Sequence, residues 1–217
     1  MSNIDKVIKL MKKDCEKYSS PIVTEISDIT KSPFKVLVSC ILSLRTKDKV
    51  TALASKRLLE RADTPEKILK LSTKEIEKLI YPVGFYRRKA KNLKEISKDL
   101  IYKYGSIVPD REDELLKLKG VGRKTMGIVM CYGYGKNNYI PVDSHVHQVA
   151  NRLGWVKTRN PEDTEIGLMK KIPKSYWHDL NDLFVKFGQN VCVPVSPFCS
   201  KCVVNKYCRK CGVKRHR

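Results

Sequence analysis

The stretch LKGVGRKT, residues 118–125, places two glycines around a valine, directly before a run of residues that favours a helix. Gly120 and Gly122 allow a sharp turn with positive φ where the chain needs it, and Val121 can fill the interior of that turn. The backbone N–H groups and the positive dipole end of the following helix can bind an anion such as a phosphate. A plain turn between two helices is the competing interpretation.

Two charged residues next to this turn point to chemistry. Lys124 heads a largely apolar helix, a position that predicts a lowered pKa and a nucleophilic amine. A solvated or phosphate-binding lysine is the alternative. Asp143 begins the next helix after a short connector, so it is either a helix N-cap or a catalytic carboxylate paired with Lys124.

The hydrophobic pattern predicts helices throughout and no sheet, because no segment alternates apolar and polar residues with a period of two. The run FKVLVSCILSL (34–44) is apolar on nearly every face and predicts a central buried helix. Helix starts are predicted from N-caps followed by proline, from a capping box and from a looser pair of acids. They are Ser32-Pro33, Thr64-Pro65, Asn160-Pro161, Ser72 with Glu75, and Asp110 with Asp113.

The composition favours a polyanionic partner. The 217 residues carry a formal net charge of +21, for which nucleic acid is the first candidate and a merely soluble or ribosome-associated basic protein the alternative. The chain contains no apolar run of about 18 residues and no signal-peptide core at its N-terminus. We therefore expect a cytoplasmic protein that does not bind membranes.

Five of the eight cysteines crowd into residues 192–211, which predicts a bound metal or cluster. One set has the spacing C-x6-C-x2-C-x5-C, which suits a [4Fe–4S] cluster. The alternative set, C-x2-C-x5-C-x2-C, includes Cys211 and suits a tetrahedral zinc ion. It leaves Cys192 unexplained. The basic tail from Lys201 to Arg217 contains no acid and is either a phosphate-contacting surface or a solvated terminus.

The glycine turn with Lys124, the aspartate about one helix later and the first cysteine set together resemble the endonuclease III family, the iron–sulfur branch of the helix-hairpin-helix DNA glycosylases. The resemblance runs from about residue 8 to residue 212, with these elements in the family's order. It implies an all-α fold of two helical domains with a DNA-binding cleft between them, a helix-hairpin-helix motif and a C-terminal iron–sulfur cluster loop. Residues 22–132 would form the domain with the hairpin, and residues 1–21 and 133–217 the domain with the cluster loop.

The same resemblance implies a base-excision-repair DNA glycosylase with AP lyase activity, acting on oxidised pyrimidines. Lys124 matches the catalytic lysine, which forms a Schiff base, and Asp143 matches the catalytic aspartate. The implied partner is double-stranded DNA with a damaged base or an abasic site, bound by a monomer at the nucleoid. The implied ligands of a [4Fe–4S] cofactor are Cys192, Cys199, Cys202 and Cys208.

The resemblance also implies DNA contacts at the hairpin and at two further loops. These candidate residues are Gly120, Val121, Gly122, Arg123, Arg45, Phe85, Arg87 and Arg88. Arg45 stands where a glutamine usually fills the space left by the flipped base, and Phe85 where a leucine usually enters the base stack. Lys119 replaces a proline before the first glycine. These departures keep open a mismatch glycosylase for uracil or thymine; a non-catalytic helix-hairpin-helix DNA-binding protein with structural zinc is the alternative from another class.

Overall fold

Twelve α-helices make up most of the part of the chain that the computed structural model describes, residues 3–217. They are α1 (Asn3–Cys15), α2 (Ile22–Thr30), α3 (Pro33–Ser43), α4 (Asp48–Arg61), α5 (Pro65–Lys70), α6 (Thr73–Ile80), α7 (Tyr86–Tyr104), α8 (Glu112–Leu115), α9 (Arg123–Ile128), α10 (Ser144–Leu153), α11 (Pro161–Lys171) and α12 (Trp177–Asn190). No strand occurs among these residues, so the predicted all-α fold is confirmed. None of the helices described is both long and apolar enough to cross a bilayer.

The described chain divides into two compact units. One unit is continuous, residues 22–136, and the other joins the N-terminal segment up to residue 21 with residues 137–217. The predicted domain limit at residue 132 and the cleft predicted between the domains stay predictions. Residues 1 and 2 of the predicted 1–21 segment lie outside the described residues.

Helix α3 is the core of the continuous unit. Ser32 caps it with its side chain, Pro33 occupies its first turn, and the helix packs against α2, α4, α7 and α9. Leu37, Ile41 and Leu42 are at most 1% exposed, which confirms the predicted central buried helix. Truncating such a leucine to alanine typically costs about 2–5 kcal/mol.

The predicted helix starts are confirmed except for one. Side-chain caps occur at Thr64 and Asn160, and the capping box of Ser72 with Glu75 is formed. The prediction for Asp110 is wrong, because α8 begins after Arg111 without a side-chain cap. The Asp110 carboxylate instead pairs with Lys136 at 2.8 Å, and the hydrogen bond from that ammonium lowers the pKa of Asp110.

The discontinuous unit has its own apolar core, built mainly from α10 and α12 with α1 and α11 packed beside them. Val146, Phe184 and Phe187 are at most 1% exposed in this core. After α12 the chain contains only short 3₁₀ turns, and the five clustered cysteines fall in this last segment. Helix packing therefore positions the start of α10 and the loop after α12, which carry predicted site residues.

Candidate active site and cysteine loop

The glycine turn joins α8 to α9. Gly120 has φ +78°, a conformation that favours glycine, and a Cβ there would come within 2.8 Å of the Asn92 side-chain nitrogen. Val121 fills the turn and is 7% exposed. Gly122 is the N-cap of α9 and has an extended backbone. Because glycine has no side chain, no side-chain hydrogen bond caps the first turn of this helix. The turn thus has the geometry that the sequence predicts.

The two basic residues at the start of α9 have different surroundings. Arg123 Nη1 lies 2.5 Å from Glu112 Oε1, across the hairpin. Lys124 is partly buried, close to α3 and to the start of α4. Burial raises the pKa of Cys40 to about 12, and the positive charge of Lys124 opposes that shift. Burial also raises the pKa of Asp48, against the Ile22 N–H group and the charge of Lys124.

Asp143 is the N-cap of α10. Its Oδ1 accepts hydrogen bonds from the N–H groups of His145, at 2.8 Å, and Val146, at 2.9 Å. These bonds fix the carboxylate at the helix N-terminus, where a negative charge is favoured. The cap that the sequence predicts is therefore present, in the unit that does not contain Lys124.

Two contacts with α12 hold the segment around Asp143 in place. Asn181, 5% exposed, donates a hydrogen bond of 2.7 Å to the Pro141 carbonyl in the connector before Asp143. Gly188 allows the His145 side chain to approach so closely that a Cβ at Gly188 would lie 2.8 Å from its Nδ1. The position of Asp143 thus depends on packing against α12 as well as on its own helix.

The four cysteines of the first set line one cavity in the loop after α12. They are Cys192, Cys199, Cys202 and Cys208. Cys211 is exposed and is not part of the cavity lining. Burial raises the pKa of Cys202 to about 11, and the nearby thiols of the other three lining cysteines also raise it. The cavity therefore groups the set that contains Cys192 and excludes Cys211.

The spacing of the thiols fits a cluster better than a zinc ion. Among the described residues, no three His, Cys, Asp or Glu side chains form a group that could hold a single metal ion. A zinc ion would require four sulfurs at about 2.3 Å from one centre. A [4Fe–4S] cluster instead fills a space between thiolates that lie further apart. The cavity lining thus contains the four-cysteine donor set that an iron–sulfur cluster needs.

Helix α10 holds the cysteine loop through two polar side chains. Gln148 Nε2 donates to the Cys192 carbonyl at 2.6 Å. Arg152 donates to the carbonyls of Val193, at 2.8 Å, and Pro194, at 2.7 Å, and its Nη1 lies 3.5 Å from Cys192 Sγ. The helix that begins at Asp143 therefore also anchors the first cysteine of the loop.

Two exposed residues of the continuous unit, Arg45 and Phe85, have left-handed backbones, with φ +51° and +58°. This conformation is unfavourable for side chains other than glycine and is concentrated at functional sites. The Arg45 guanidinium lies 5.8 Å from the centre of the Phe85 ring. Arg87 and Arg88, at the start of α7, are also exposed, and the Arg87 guanidinium lies 5.5 Å from the centre of the Tyr86 ring.

Comparisons with known proteins show which family this chain belongs to. The family model of the HhH-GPD superfamily base excision DNA repair proteins matches residues 38–174. Endonuclease III of Thermotoga maritima is 47% identical over 176 residues, which cover 81% of this chain and 82% of that protein. The chain belongs to the endonuclease III family. The resemblance to this family that the glycine turn and the cysteine spacing indicate is thus confirmed.

Solved structures of endonuclease III complexes with DNA resemble this family member over nearly its whole length. A trapped endonuclease III–DNA covalent intermediate, an estranged-adenine complex, is 33% identical with a TM-score of 0.84, covering 95% of this chain and 94% of that one. A thermostable thymine-DNA glycosylase is 26% identical with a TM-score of 0.82 over the same shares of the two chains. Both likenesses extend beyond the residues that the superfamily model matches.

Three polar residues hold the candidate site of this endonuclease III family member in place without having been predicted from the sequence. They are Lys89, Arg152 and Asn181. A signal existed for Lys89, which lies four residues before Leu93 and next to Ala90, on the apolar face of α7. Arg152 and Asn181 have no such signal, because their partners are carbonyl groups about 40 residues away.

Proposed function

We propose that this endonuclease III family member is a bifunctional DNA glycosylase and AP lyase of base excision repair that removes oxidised pyrimidines. The observation that carries the proposal is its 33% identity, over 95% of the chain, with an endonuclease III trapped as a covalent intermediate with DNA. Such an intermediate requires a nucleophile. Lys124, the second residue of α9, is the candidate nucleophile of this chain.

In the proposed reaction, a flipped-out nucleotide presents its C1′ atom to the Lys124 amine. The amine forms a C–N bond at C1′ while the N-glycosidic bond breaks, and the base leaves with the electron pair and takes up a proton. Opening of the sugar ring then gives a protonated Schiff base. Loss of the acidified C2′ proton expels the 3′ phosphate by β-elimination, and water hydrolyses the imine to release Lys124.

Asp143 supports this reaction with its carboxylate. In the proposal it accepts the proton that the Lys124 ammonium must lose, or stabilises the positive charge that develops on the sugar. Its hydrogen bonds to the first turn of α10 support either role, because they hold the carboxylate in one orientation.

The hairpin and the two exposed loops are the proposed DNA-binding surface. The N–H groups around Gly120 to Gly122 and the Arg123 side chain would contact a phosphate. The Arg123–Glu112 pair is about 40% exposed, and such pairs typically contribute about 0–1 kcal/mol, so a phosphate can replace the carboxylate. Arg87 and Arg88 would contact the backbone, while Arg45 and Phe85 would occupy the space that the flipped nucleotide leaves.

We assign the [4Fe–4S] cofactor of this family to the four cysteines that line the cavity. A bound cluster would supply thiolate–iron bonds that cross-link the end of α12 to the C-terminal loop. The basic residues after Lys201 would then present a fixed surface to the DNA. We expect the protein to act as a monomer on DNA at the nucleoid in the cytoplasm.

A mismatch glycosylase acting on uracil or thymine is the second candidate. The 26% identity with a thermostable thymine-DNA glycosylase favours it, as do Arg45 and Phe85 at positions where the family usually has glutamine and leucine. Single-turnover excision rates on thymine glycol, uracil and a thymine–guanine mismatch distinguish the two candidates, and the fastest substrate identifies the activity.

Borohydride trapping on DNA with an abasic site or thymine glycol tests the proposed nucleophile. We expect wild-type protein to give a covalent protein–DNA adduct and Lys124→Ala to give none. Lys119→Ala is the matched control, because Lys119 lies in the same hairpin, in an exposed pair with Glu95 at 3.9 Å, and should trap as wild type does. If Lys124→Ala traps as well as wild type, another amine is the nucleophile.

A further inference from the structure

Lys89 is a buried lysine, 5% exposed, whose ammonium points at the end of α3 and the loop that follows it. It donates to the carbonyls of Leu42, at 2.8 Å, and Leu44, at 2.5 Å, and to Thr46 Oγ1 at 3.2 Å. Burial lowers its pKa to about 8. A charge kept in such surroundings must have its donors satisfied, and these three acceptors do so.

The Thr46 hydroxyl links this loop to a second one. Besides the Lys89 ammonium, it accepts the N–H group of Gly84 at 3.1 Å, and it donates to the Leu44 carbonyl at 3.2 Å. A Cβ at Gly84 would lie 2.5 Å from the Arg45 carbonyl oxygen, so the two backbones are in direct contact. Residues 44–46 and 83–85 therefore share one hydrogen-bonded centre, which we call the paired loops.

The paired loops carry Arg45 and Phe85, one on each, and both residues are exposed with left-handed backbones. Arg45 has φ +51° and Phe85 has φ +58°. The Arg45 guanidinium carbon lies 5.8 Å from the centre of the Phe85 ring. Such conformations persist only where the surrounding structure holds them. Lys89 binds the carbonyl on one side of Arg45 and the hydroxyl on the other, and that hydroxyl binds the residue before Phe85.

We propose that Lys89 is a positioning residue that joins the paired loops into one rigid element, so that Arg45 and Phe85 enter the base stack together when a nucleotide is flipped. This inference rests on the proposed glycosylase function and extends it to a residue that touches neither DNA nor the reacting atoms. It explains why a lysine occupies a buried position in α7, where a leucine or methionine would avoid the cost of burying a charge.

Lys94 provides a matched control within the same helix. Its ammonium donates to the carbonyls of Leu69 and Leu71, at 3.1 and 2.6 Å, and thus caps α5 as Lys89 caps α3. Neither of these acceptors lies in the paired loops. Lys94→Met therefore removes a carbonyl-binding lysine of α7 and tests for a merely structural effect, whereas Lys89→Met removes the link between the loops.

The test compares two DNA substrates in single-turnover reactions of the cluster-containing protein. On thymine glycol in a duplex, where a base must be extruded, we expect Lys89→Met to slow excision by about 10- to 100-fold. On a ready-made abasic site, where no base has to be unpaired, borohydride trapping should proceed at the wild-type rate. The fluorescence rise of 2-aminopurine next to the lesion, which reports unstacking, should slow in parallel with excision. Lys94→Met should match wild type in all three measurements.

A double-mutant cycle tests the coupling directly. Arg45→Ala and Phe85→Ala should have non-additive effects on the unstacking rate in wild type and additive effects in the Lys89→Met background. Thr46→Val removes the shared hydroxyl without changing Lys89 and should reproduce the loss of coupling, which keeps the test valid if Lys89→Met does not fold. Equal slowing on both substrates, or additive effects in wild type, overturns the inference. A wild-type protein that neither excises nor traps would instead overturn the proposed function.

Discussion

In the proposed reaction, Asp143 serves both the folding of α10 and the chemistry. Its Oδ1 accepts two backbone hydrogen bonds at the start of α10, which is the ordinary work of an N-cap. The proposed reaction needs something else from the same group, namely a negative charge near the developing iminium. An asparagine caps a helix about as well as an aspartate but carries no charge, so the two roles can be separated.

We therefore expect Asp143→Asn to keep its thermal midpoint and most of its DNA affinity but to lose at least about 100-fold in single-turnover excision, because general base and charge-stabilising roles contribute on that scale. Asp143→Ala should lose the same activity and also about 1 kcal/mol of stability, because it removes the cap. Circular dichroism melting and excision on thymine glycol make the comparison. Wild-type turnover in Asp143→Asn would leave the residue with a capping role alone.

Lys124 could be singled out from the sequence alone, whereas Lys89 could not. Lys124 is conspicuous because a glycine turn precedes it, and Lys89 is not, because it follows two arginines in a run of charges. Lys89 differs from the neighbouring basic residues because it is buried. Its hydrogen-bond acceptors, in residues 42–46, lie more than 40 residues away in the sequence. Sequence patterns record local chemistry, and the partner of a buried charge is rarely local.

At the scale of elements, α10 links the catalytic proposal to the cysteine loop. Asp143 caps its start, while Gln148 and Arg152 on the same helix bind the carbonyls of residues 192–194. A shift of the loop would therefore act on the helix that positions Asp143. The cavity lining supports the proposed ligand set, since it includes Cys192 and leaves Cys211 outside.

The residues that line the cysteine cavity predict opposite outcomes for two cysteine-to-serine substitutions. Cys211→Ser should keep the iron and sulfide content and the visible absorbance of the wild-type protein, because its side chain is exposed and outside the cavity. Cys208→Ser should lose most of the iron, since serine is a poor ligand for this cluster. Metal analysis of the purified variants gives the result directly. A Cys211→Ser variant that loses iron, or wild-type protein that contains zinc instead, would contradict the ligand assignment.

Helix starts were predictable where the cap and its acceptor lie within one turn. Ser32, Thr64, Ser72 and Asn160 all bond to an N–H group three residues ahead, so a short sequence window contains the whole interaction. The prediction for Asp110 was wrong because its carboxylate pairs with Lys136, which lies 26 residues away in the sequence. The π-helical turn after α9, Val129–Gly133, was not predicted. A Cβ at its Gly133 would lie 3.1 Å from the Pro33 Cα atom of α3, and no local sequence pattern records such an approach.

The charge of the whole molecule exceeds what internal ion pairs can absorb. The chain has 44 lysine and arginine residues against 23 acidic ones, so at least 21 basic side chains cannot have a side-chain carboxylate of their own. Many of the acids are already engaged with lysines at 2.6–2.8 Å, as in Lys12–Asp179, Lys67–Asp63 and Lys186–Asp182. Such an excess favours DNA through the release of its counterions, and it makes affinity depend steeply on salt.

Salt titrations can separate this general attraction from contacts at the proposed surface. Each phosphate contact contributes about −0.9 to the slope of log affinity against log salt concentration. Arg88→Gln, at the exposed start of α7, should make the slope shallower by about one, whereas Lys56→Gln, in an exposed pair with Glu60 at 4.0 Å, should leave it nearly unchanged. Both variants lower the net charge by one, so an equal change in slope would mean that DNA senses only the total charge. Fluorescence anisotropy with DNA that carries a reduced abasic site, which has no aldehyde for Lys124 to attack, from about 50 to 200 mM salt covers the range in which several contacts change affinity by orders of magnitude.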